Sequence, residues 1–511
     1  MEMWWLGIIA IFLYILFKSQ YGFWKRHPTV PSLPGRIFSG NLLDFLLFKT
    51  NFGYHLKKIY DDPAFADKPV VGIYGLYRPS LLIKEPELIK RILIKDFDCF
   101  HNRFHDIDVK YDPIGGQMMF YTSYRLWREM RQKLSPVFTS AKLKHMYPLI
   151  QNVAKNIEEY LVKQKSIHPL EMKNFCARYT SDIVATTLLG FKSNSLENPS
   201  EELWKEIALM SYFNLKRAID FMVILFVPKM ARLFRSKLFY KKTEDFLRDS
   251  ITHAIKEREL SGLPRNDLID MLVKLSEEAA DDGRDVDKFM ETLIAQGAIF
   301  IAAGSDTSST TMSNALFELA KQPEVQKKLK EEIRQTFALE EGSTISYENL
   351  TNMKYLDMVI NETLRLYPVL PMLERKYQRP EGTSGDYSLK PFCDFELSND
   401  MPIYISLFGL HYDPKYWSNP TKFDPERFVP ENKSTLNPMA YLPFGMGPHN
   451  CIGSRLALLQ MKCGLVHLLH RHSVRVGKRT CLKPEFETKS ILFEIKGGIH
   501  LEVVKDTDLS E

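Results

Sequence analysis

From about Val286 to Lys321 the sequence reads as one helix, ending before Pro323. At 1.5 Å per residue it would span roughly 50 Å, enough to cross a whole domain. Its apolar stretch, Leu293 to Gly304, is interrupted by Gln296 and too short for a bilayer span, so the helix is expected inside protein. Residues 36–511 show mostly helical periodicity, with no internal repeat and no Gly/Ser-rich linker. β-like runs occur near Val70–Tyr74, Ser80–Ile83, Pro402–Ser406 and Ile491–Val504. The expected fold is a single large domain, mainly α with a small β region.

Composition limits the function classes. With 45% hydrophobic and 26% charged residues, the 511-residue chain is neither disordered nor collagen-like. A net charge of +5 from 68 basic and 63 acidic residues does not indicate a general nucleic-acid surface. The six cysteines are scattered and none forms a C-x-x-C pair, so a cysteine ligand would act alone.

Met3 to Phe17 is an apolar run that Tyr21, Phe23 and Trp24 extend past Lys18. Lys18, Lys25, Arg26 and His27 follow it, and only Glu2 precedes it. This pattern favours an uncleaved transmembrane anchor over residues 1–24, with the bulk of the chain in the cytosol. A cleaved signal peptide would need a basic start and a small-residue cleavage site, which Met1-Glu2-Met3 and Ser19-Gln20-Tyr21 do not provide. Pro28, Pro31 and Pro34 make residues 25–35 a stiff hinge before a domain over 36–511.

Four constellations carry chemistry. In Phe444-Gly445-Met446-Gly447-Pro448-His449-Asn450-Cys451-Ile452-Gly453 the glycines allow sharp turns, and Cys451 precedes a helical run to about Leu469. A helix N-terminus favours a thiolate, as an axial ligand of haem iron requires, although a bare cysteine there reads equally as reactive or buried. Ala303-Gly304-Ser305-Asp306-Thr307-Ser308 places poor helix formers inside the long helix, which marks either a functional break or a polar packing face. Glu362 and Arg365 are neighbours on a helix ending before Pro368, alone a common ion pair. Trp127 and Arg131 lie one helical turn apart, and Arg375 follows in Pro371-Met372-Leu373-Glu374-Arg375; either arginine alone is an ordinary surface charge.

Together these runs resemble the cytochrome P-450 family, in the family's order, from 127 to 453. Phe444, Gly447, His449, Cys451 and Gly453 match the haem-ligand signature, with His449 where the family more often has Arg. Leu134 to Lys144 resembles the insect microsomal branch. The resemblance implies haem b with Cys451 as axial thiolate on the iron. It implies haem-propionate contacts from Trp127, Arg131, Arg375 and His449. By the same resemblance Gly304 opens room for dioxygen, Thr307 sets a hydroxyl beside it, and Asp306 lies in the proton route with a local kink. Glu362, Arg365 and Arg427 of Pro425-Glu426-Arg427-Phe428 would form a buried network supporting the Cys451 loop.

The implied activity is monooxygenation of an apolar small molecule (a foreign compound, insecticide, steroid or fatty-acid-like lipid) at the endoplasmic reticulum membrane. Electrons would come from NADPH through a flavoprotein, the cytochrome P-450 reductase, with cytochrome b5 as a further donor. Arg125, Arg128, Lys133, Lys142, Lys144, Arg455 and Lys462 are candidates for a basic docking patch, or an ordinary solvated face. Candidate substrate-pocket walls are Phe104, Ile107, Tyr111, Met118, Phe120, Phe300, Ala303, Val369, Leu370, Ile491 and Leu492, each with plain core as the alternative. Phe221 to Val227 is a candidate membrane-dipping segment, or equally a buried one. Two rivals are a haem-thiolate isomerase or dehydratase needing no reductase, and a non-catalytic haem carrier or sensor.

Overall fold

The computed structural model describes residues 20–506 except 166, 201, 212, 213, 341–343 and 491. The long helix is continuous over Val286–Lys321, as its periodicity predicts, with no break at the hydroxyl-rich run. The Asp285 side chain caps its start by accepting the Lys288 N–H, and Pro323 follows its end. The helices that frame the site are α1 (Tyr124–Leu134), α2 (Ser140–Val162), α3 (Met172–Val184), α4 (Leu215–Phe226), α5 (Val286–Lys321), α6 (Lys354–Leu366) and α7 (Ser454–Leu469). Apolar side chains of α2, α3, α5, α6 and α7 share one buried core.

Sheets form a minor second component. β1 (Val70–Gly75), β2 (Arg78–Ile83), β7 (Pro402–Ser406) and β4 (Met372–Lys376) lie side by side in that order. β2 and β7 are parallel, and β4 runs antiparallel to β7 with Arg375 opposite Ile403. β3 (Ile167–Glu171), β9 (His500–Lys505) and β8 (His472–Val476) form a second sheet, and β5 (Tyr387–Ser388) pairs with β6 (Glu396–Leu397). The run expected over Ile491–Val504 is strand only in its last part. Gly497 and Gly498 both take positive φ and break the extended backbone before it.

The N-terminal expectation needs one correction. Tyr21, Phe23 and Trp24, grouped with the anchor from sequence, pack on the domain. Trp24 is buried, and its Nε1–H donates to the Ile73 carbonyl at 2.9 Å. The proline segment is docked as well, since Gly72 N–H donates to Pro31 O at 2.8 Å and Leu33 N–H to Gly72 O at 2.9 Å. Most of the expected anchor lies outside the described residues, among which no helix is long and apolar enough to cross a membrane. Phe221 to Val227 is not a surface segment: Phe221, Ile224 and Phe226 are buried. Phe226 packs on Phe45 and Phe52. Exposed apolar residues nearby include Leu215, Ile219, Leu233 and Phe234.

Candidate functional site

The segment before Cys451 is folded onto itself. Cys451 N–H donates to Phe444 O at 2.8 Å, Asn450 N–H to Gly447 O at 3.0 Å and Gly445 N–H to Leu442 O at 3.0 Å. Gly445 and Gly447 take φ of 68° and 75°, which side chains with a Cβ rarely adopt. A Cβ on Gly447 would also stand 2.0 Å from Leu93 O, so that position excludes side chains twice over. Gly453 then caps α7. The Cys451 side chain is exposed. Protein nonetheless surrounds it closely enough that burial pushes its thiol up, while the Gly453 N–H and the Arg131 charge pull it down. Its thiol is thus open to solvent on one side and closely surrounded by protein on the others.

The helix that Cys451 leads into, α7, is bonded to α5. Ala303 is exposed in the middle of a largely buried helix, and Gly304 and Thr307 are half-buried. Gln460 of α7 ties the two elements, donating to Gly304 O at 3.0 Å and Ser308 Oγ at 2.6 Å. Thr307 Oγ1 donates to Ala303 O at 2.8 Å, the back-bond characteristic of a hydroxyl in a helix. Most of the neighbouring hydroxyls serve packing. Ser305 O accepts from Thr180 Oγ1 at 2.9 Å, and Ser305 Oγ meets Ser181 Oγ at 2.8 Å.

A Cβ at Gly304 would meet Val184 Cγ2 at 3.0 Å, so this glycine sits close against α3, while Ala303 beside it is exposed. Asp306 is buried against α3, its carboxylate paired with Lys173, whose Nζ also donates to Asp306 O at 3.0 Å.

At the end of β4 lies a cluster rich in positive charge. Arg375 is buried, and its Nη1 donates to Glu374 O at 2.7 Å, but its Nε has no partner among the described residues. Burial, reinforced by Arg103, lowers its guanidinium to about 9. His449 Nε2 bonds His101 O at 2.7 Å, its buried Nδ1 is unpartnered, and its ring stands 4.1 Å from that of Trp127. Burial and then the charges of Arg103 and Arg375 hold this imidazole down to about 2. Burial opposes the charge of Glu374 as well. His105 at 3.0 Å and the N–H groups of His105 and Phe104 outweigh it and keep the carboxyl below its ordinary range. Arg375 and Arg103 therefore gather near one carboxylate, which leaves positive charge for a further anion. Arg131 stands beside the cysteine loop. Its fork donates to Asn450 O at 2.8 Å and Oδ1 at 2.5 Å, gripping the residue before Cys451.

The supporting network is complete and fully enclosed. Arg365 Nε donates to Glu362 Oε2 at 2.7 Å and its Nη2 to Oε1 at 2.8 Å, both side chains having 0% exposure. Arg427 adds a contact to Glu362 at 3.3 Å. Arg365 Nη1 continues to His411 O and Pro420 O, both at 2.8 Å. His411, which the sequence reading did not single out, bonds Arg365 O through Nδ1 at 3.2 Å. Its Nε2 accepts the Leu442 N–H at 3.1 Å. Burial and the Arg365 charge hold its ring down to about 3, so it stays neutral, with the proton on Nδ1. The network thus reaches the cysteine loop through Leu442.

The proposed pocket walls separate into two groups. Phe493 N–H donates to Val369 O at 3.0 Å, which brings Val369, Leu370 and Leu492 together. Ile491 lies outside the described residues. The others are largely core: Met118 and Ile107 are buried, Phe300 packs on Phe138 at 5.1 Å, and Phe104 lies under Arg78 at 5.2 Å. Phe120 stacks on His105, and Tyr111 is half-buried beside Lys110. A cavity of about 330 Å³ opens beside Trp127 and His449, with Arg78, Arg103, Lys229 and Lys376 in its walls.

An accessible sulfur at a helix start and orphaned buried nitrogens on Arg375 and His449 fit a thiolate-ligated anionic group such as haem. Fold and site together define a haem-thiolate protein. The sequence matches the family model for cytochrome P-450 over residues 31–501. It is 40% identical over 98% of its length to the probable cytochrome P-450 6w1 of Drosophila melanogaster, covering 97% of that protein. It is 36% identical to cytochrome P-450 6k1 of Blattella germanica, covering 98% of this chain and 96% of that one. With cytochrome P-450 9e2 of the same cockroach it shares 32% identity, covering 99% of each. The chain belongs to the cytochrome P-450 family and is a monooxygenase similar to these insect members.

Proposed function

We propose that the protein inserts one atom of dioxygen into an apolar foreign compound or lipid-like molecule, using electrons from NADPH passed on by a flavoprotein reductase. The observation that carries this reading is the pair of accessible positions, Cys451 at the head of α7 and Ala303 with Thr307 within α5, in two helices tied by Gln460. A haem held there, with Cys451 as its thiolate ligand, would supply the reductive activation of dioxygen. Arg375, His449 and Trp127 hold its carboxylate edge. Arg131, through Asn450, keeps the cysteine loop in register. Thr307 keeps a hydroxyl on α5, and Asp306 handles protons behind it. Val369, Leu370 and Leu492 give the substrate an apolar wall and exclude water.

On this reading residues 1–19 carry the anchor in the endoplasmic reticulum membrane, the domain faces the cytosol, and Leu215, Ile219, Leu233 and Phe234 rest on lipid. Reductase, and cytochrome b5 after it, would dock on Arg125, Arg128 and Arg455. These are exposed and have no ion-pair partner among the described residues. Lys462 is excluded from that patch because it is buried and bonded to Thr351 O at 3.0 Å. Lys133 and Lys144 are engaged with Glu278 and Glu348.

The deciding experiment is the reduced carbon-monoxide difference spectrum of the protein beside Cys451→Ser, followed by turnover with reductase and NADPH. A thiolate-type Soret band lost in the variant, and product that requires NADPH, support the reading. Haem-loaded protein without that band overturns it, and product formed without NADPH would favour the isomerase or dehydratase alternative.

A further inference from the structure

Asp306 shares its lysine. Lys173 Nζ pairs with Asp306, donates to Ser309 Oγ at 2.9 Å, and stands 3.9 Å from Glu494 Oε1. Glu494 lies beside the proposed apolar wall, in a segment tied down by Phe493 N–H to Val369 O at 3.0 Å and Glu487 N–H to Glu494 O at 2.8 Å.

The charged groups that face Glu494 are Asp306 from α5, Lys173 from α3, Glu171 from the end of β3 and Glu487 from its own segment. The charges of Arg217 of α4 and Asp306 also act on each other. Glu171 is occupied, accepting Asn174 N–H at 2.7 Å and Ile499 N–H at 3.0 Å. Glu487 accepts Thr488 N–H at 3.0 Å. Asp306 and Glu494 therefore compete for one ammonium. Burial, and next the charge of Asp306, push Glu494 up to about 7. The side chains of Lys173, Asp306 and Glu494 keep 23%, 11% and 22% exposure, so the cluster remains open to proton exchange with water.

We propose that Lys173 is a counter-cation switched between Asp306 and Glu494, and that Glu494, by taking a proton from water or returning it, sets whether the Asp306 carboxylate is free. With Glu494 neutral, Lys173 stays on Asp306 and fixes it against α3. When the Glu494 O–H bond breaks and its proton leaves to water, the new carboxylate draws the ammonium across and Asp306 is released beside Thr307. Nothing is oxidised or reduced in the step. The catalytic consequence rests on the monooxygenase reading, whereas the switch itself does not. Glu494 is a positioning residue on this account, acting through Lys173.

The test is pH-difference infrared spectroscopy on the full-length holoprotein, from about pH 5 to about pH 9, which spans the range where a displaced carboxyl titrates. A protonated-carboxyl signal should vanish with a midpoint near 7. It should be absent in Glu494→Gln, retained in Glu494→Asp, and shifted upward by about one pH unit or more in Lys173→Met, which removes the opposite charge. Lys173→Gln serves if the methionine variant does not fold. No such signal in the unmodified protein, or its persistence in Glu494→Gln, overturns the proposal. Product formed per NADPH consumed should change across the same midpoint and lose that dependence in Glu494→Gln. A ratio independent of pH, with the titration present, would overturn the coupling to Asp306. A normal titration in protein lacking the thiolate Soret band would sink the monooxygenase reading and leave the switch standing.

Discussion

The Nε2 atom of His411 accepts the backbone N–H of Leu442 at 3.1 Å, which makes a neutral imidazole the last link between the buried Glu362–Arg365 pair and the cysteine loop. The bond requires an unprotonated Nε2. Because the ring is held down to about 3 in the fold, the unfolded chain binds its proton first as pH falls. The stability His411 contributes is therefore complete above about 6.5, its ordinary value, and is lost progressively as pH falls toward the folded value. Melting temperature should drop from pH 7 to pH 4, and His411→Phe should lower it at pH 7 while flattening that dependence. Leaving the Leu442 N–H buried and unpaired costs about 1–3 kcal/mol. An equally steep acid dependence in the variant would count against this account.

Arg365→Ala strands the Glu362 carboxylate at 0% exposure. Removing one partner of such a pair costs about 3–5 kcal/mol. Arg365→Lys should rescue little, because an ammonium cannot serve Glu362, His411 O and Pro420 O with one planar fork. Thermal melts and the yield of haem-loaded protein would measure both, and near-normal loading in the lysine variant would contradict the role assigned to the fork.

Gly445 and Gly447 share a positive φ but differ in surroundings. A Cβ at Gly445 meets nothing nearer than 3.8 Å, whereas at Gly447 it would collide with Leu93 O at 2.0 Å. Gly445→Ala should cost only the backbone term, about 1–2 kcal/mol. Gly447→Ala should cost clearly more and release part of the haem, seen as a lower ratio of Soret to protein absorbance. Equal effects would mean that backbone conformation alone matters.

Thr307 and Ser308 are neighbours with opposite assignments. Thr307→Ala should let NADPH be consumed with peroxide released in place of product, roughly tenfold or more, the scale of a positioned proton-transfer group. Ser308→Ala should leave that ratio unchanged and lower stability by about 1 kcal/mol, since it loses only the bond from Gln460. Peroxide assays beside melts separate the two effects, and uncoupling by Ser308→Ala alone would reverse the assignment.

Arg128→Glu should raise the apparent KM for reductase at low salt and lose that effect at high salt, as expected of an exposed charge that steers encounter. Lys133→Glu is a poorer probe because Lys133 already pairs with Glu278 at 2.9 Å. No change for Arg128→Glu at low ionic strength would exclude this face from docking.

What the sequence revealed and what it hid divide along contact range. α5 was legible because its periodicity and its terminating proline are local, and the Cys451 loop because its glycines stand within a few residues of one another. His411, Gln460, Lys173 and Glu494 were not legible. Each matters through a partner that only the fold brings near: His411 lies 31 residues from Leu442, and Lys173 lies 133 from Asp306. The short strands β4 and β8 carry no alternation long enough to read. Among the candidate pocket walls, Ile107, Met118 and Phe300 are packed in the core. Composition does not distinguish a wall from a filling.

Trp24, pinned to Ile73 with the proline segment bridged to Gly72, removes slack at the point where the chain enters the body. Mechanically the entrance is a clamped beam, held at its indole and at its proline segment, and fastened to the edge of the sheet whose far strand carries Arg375.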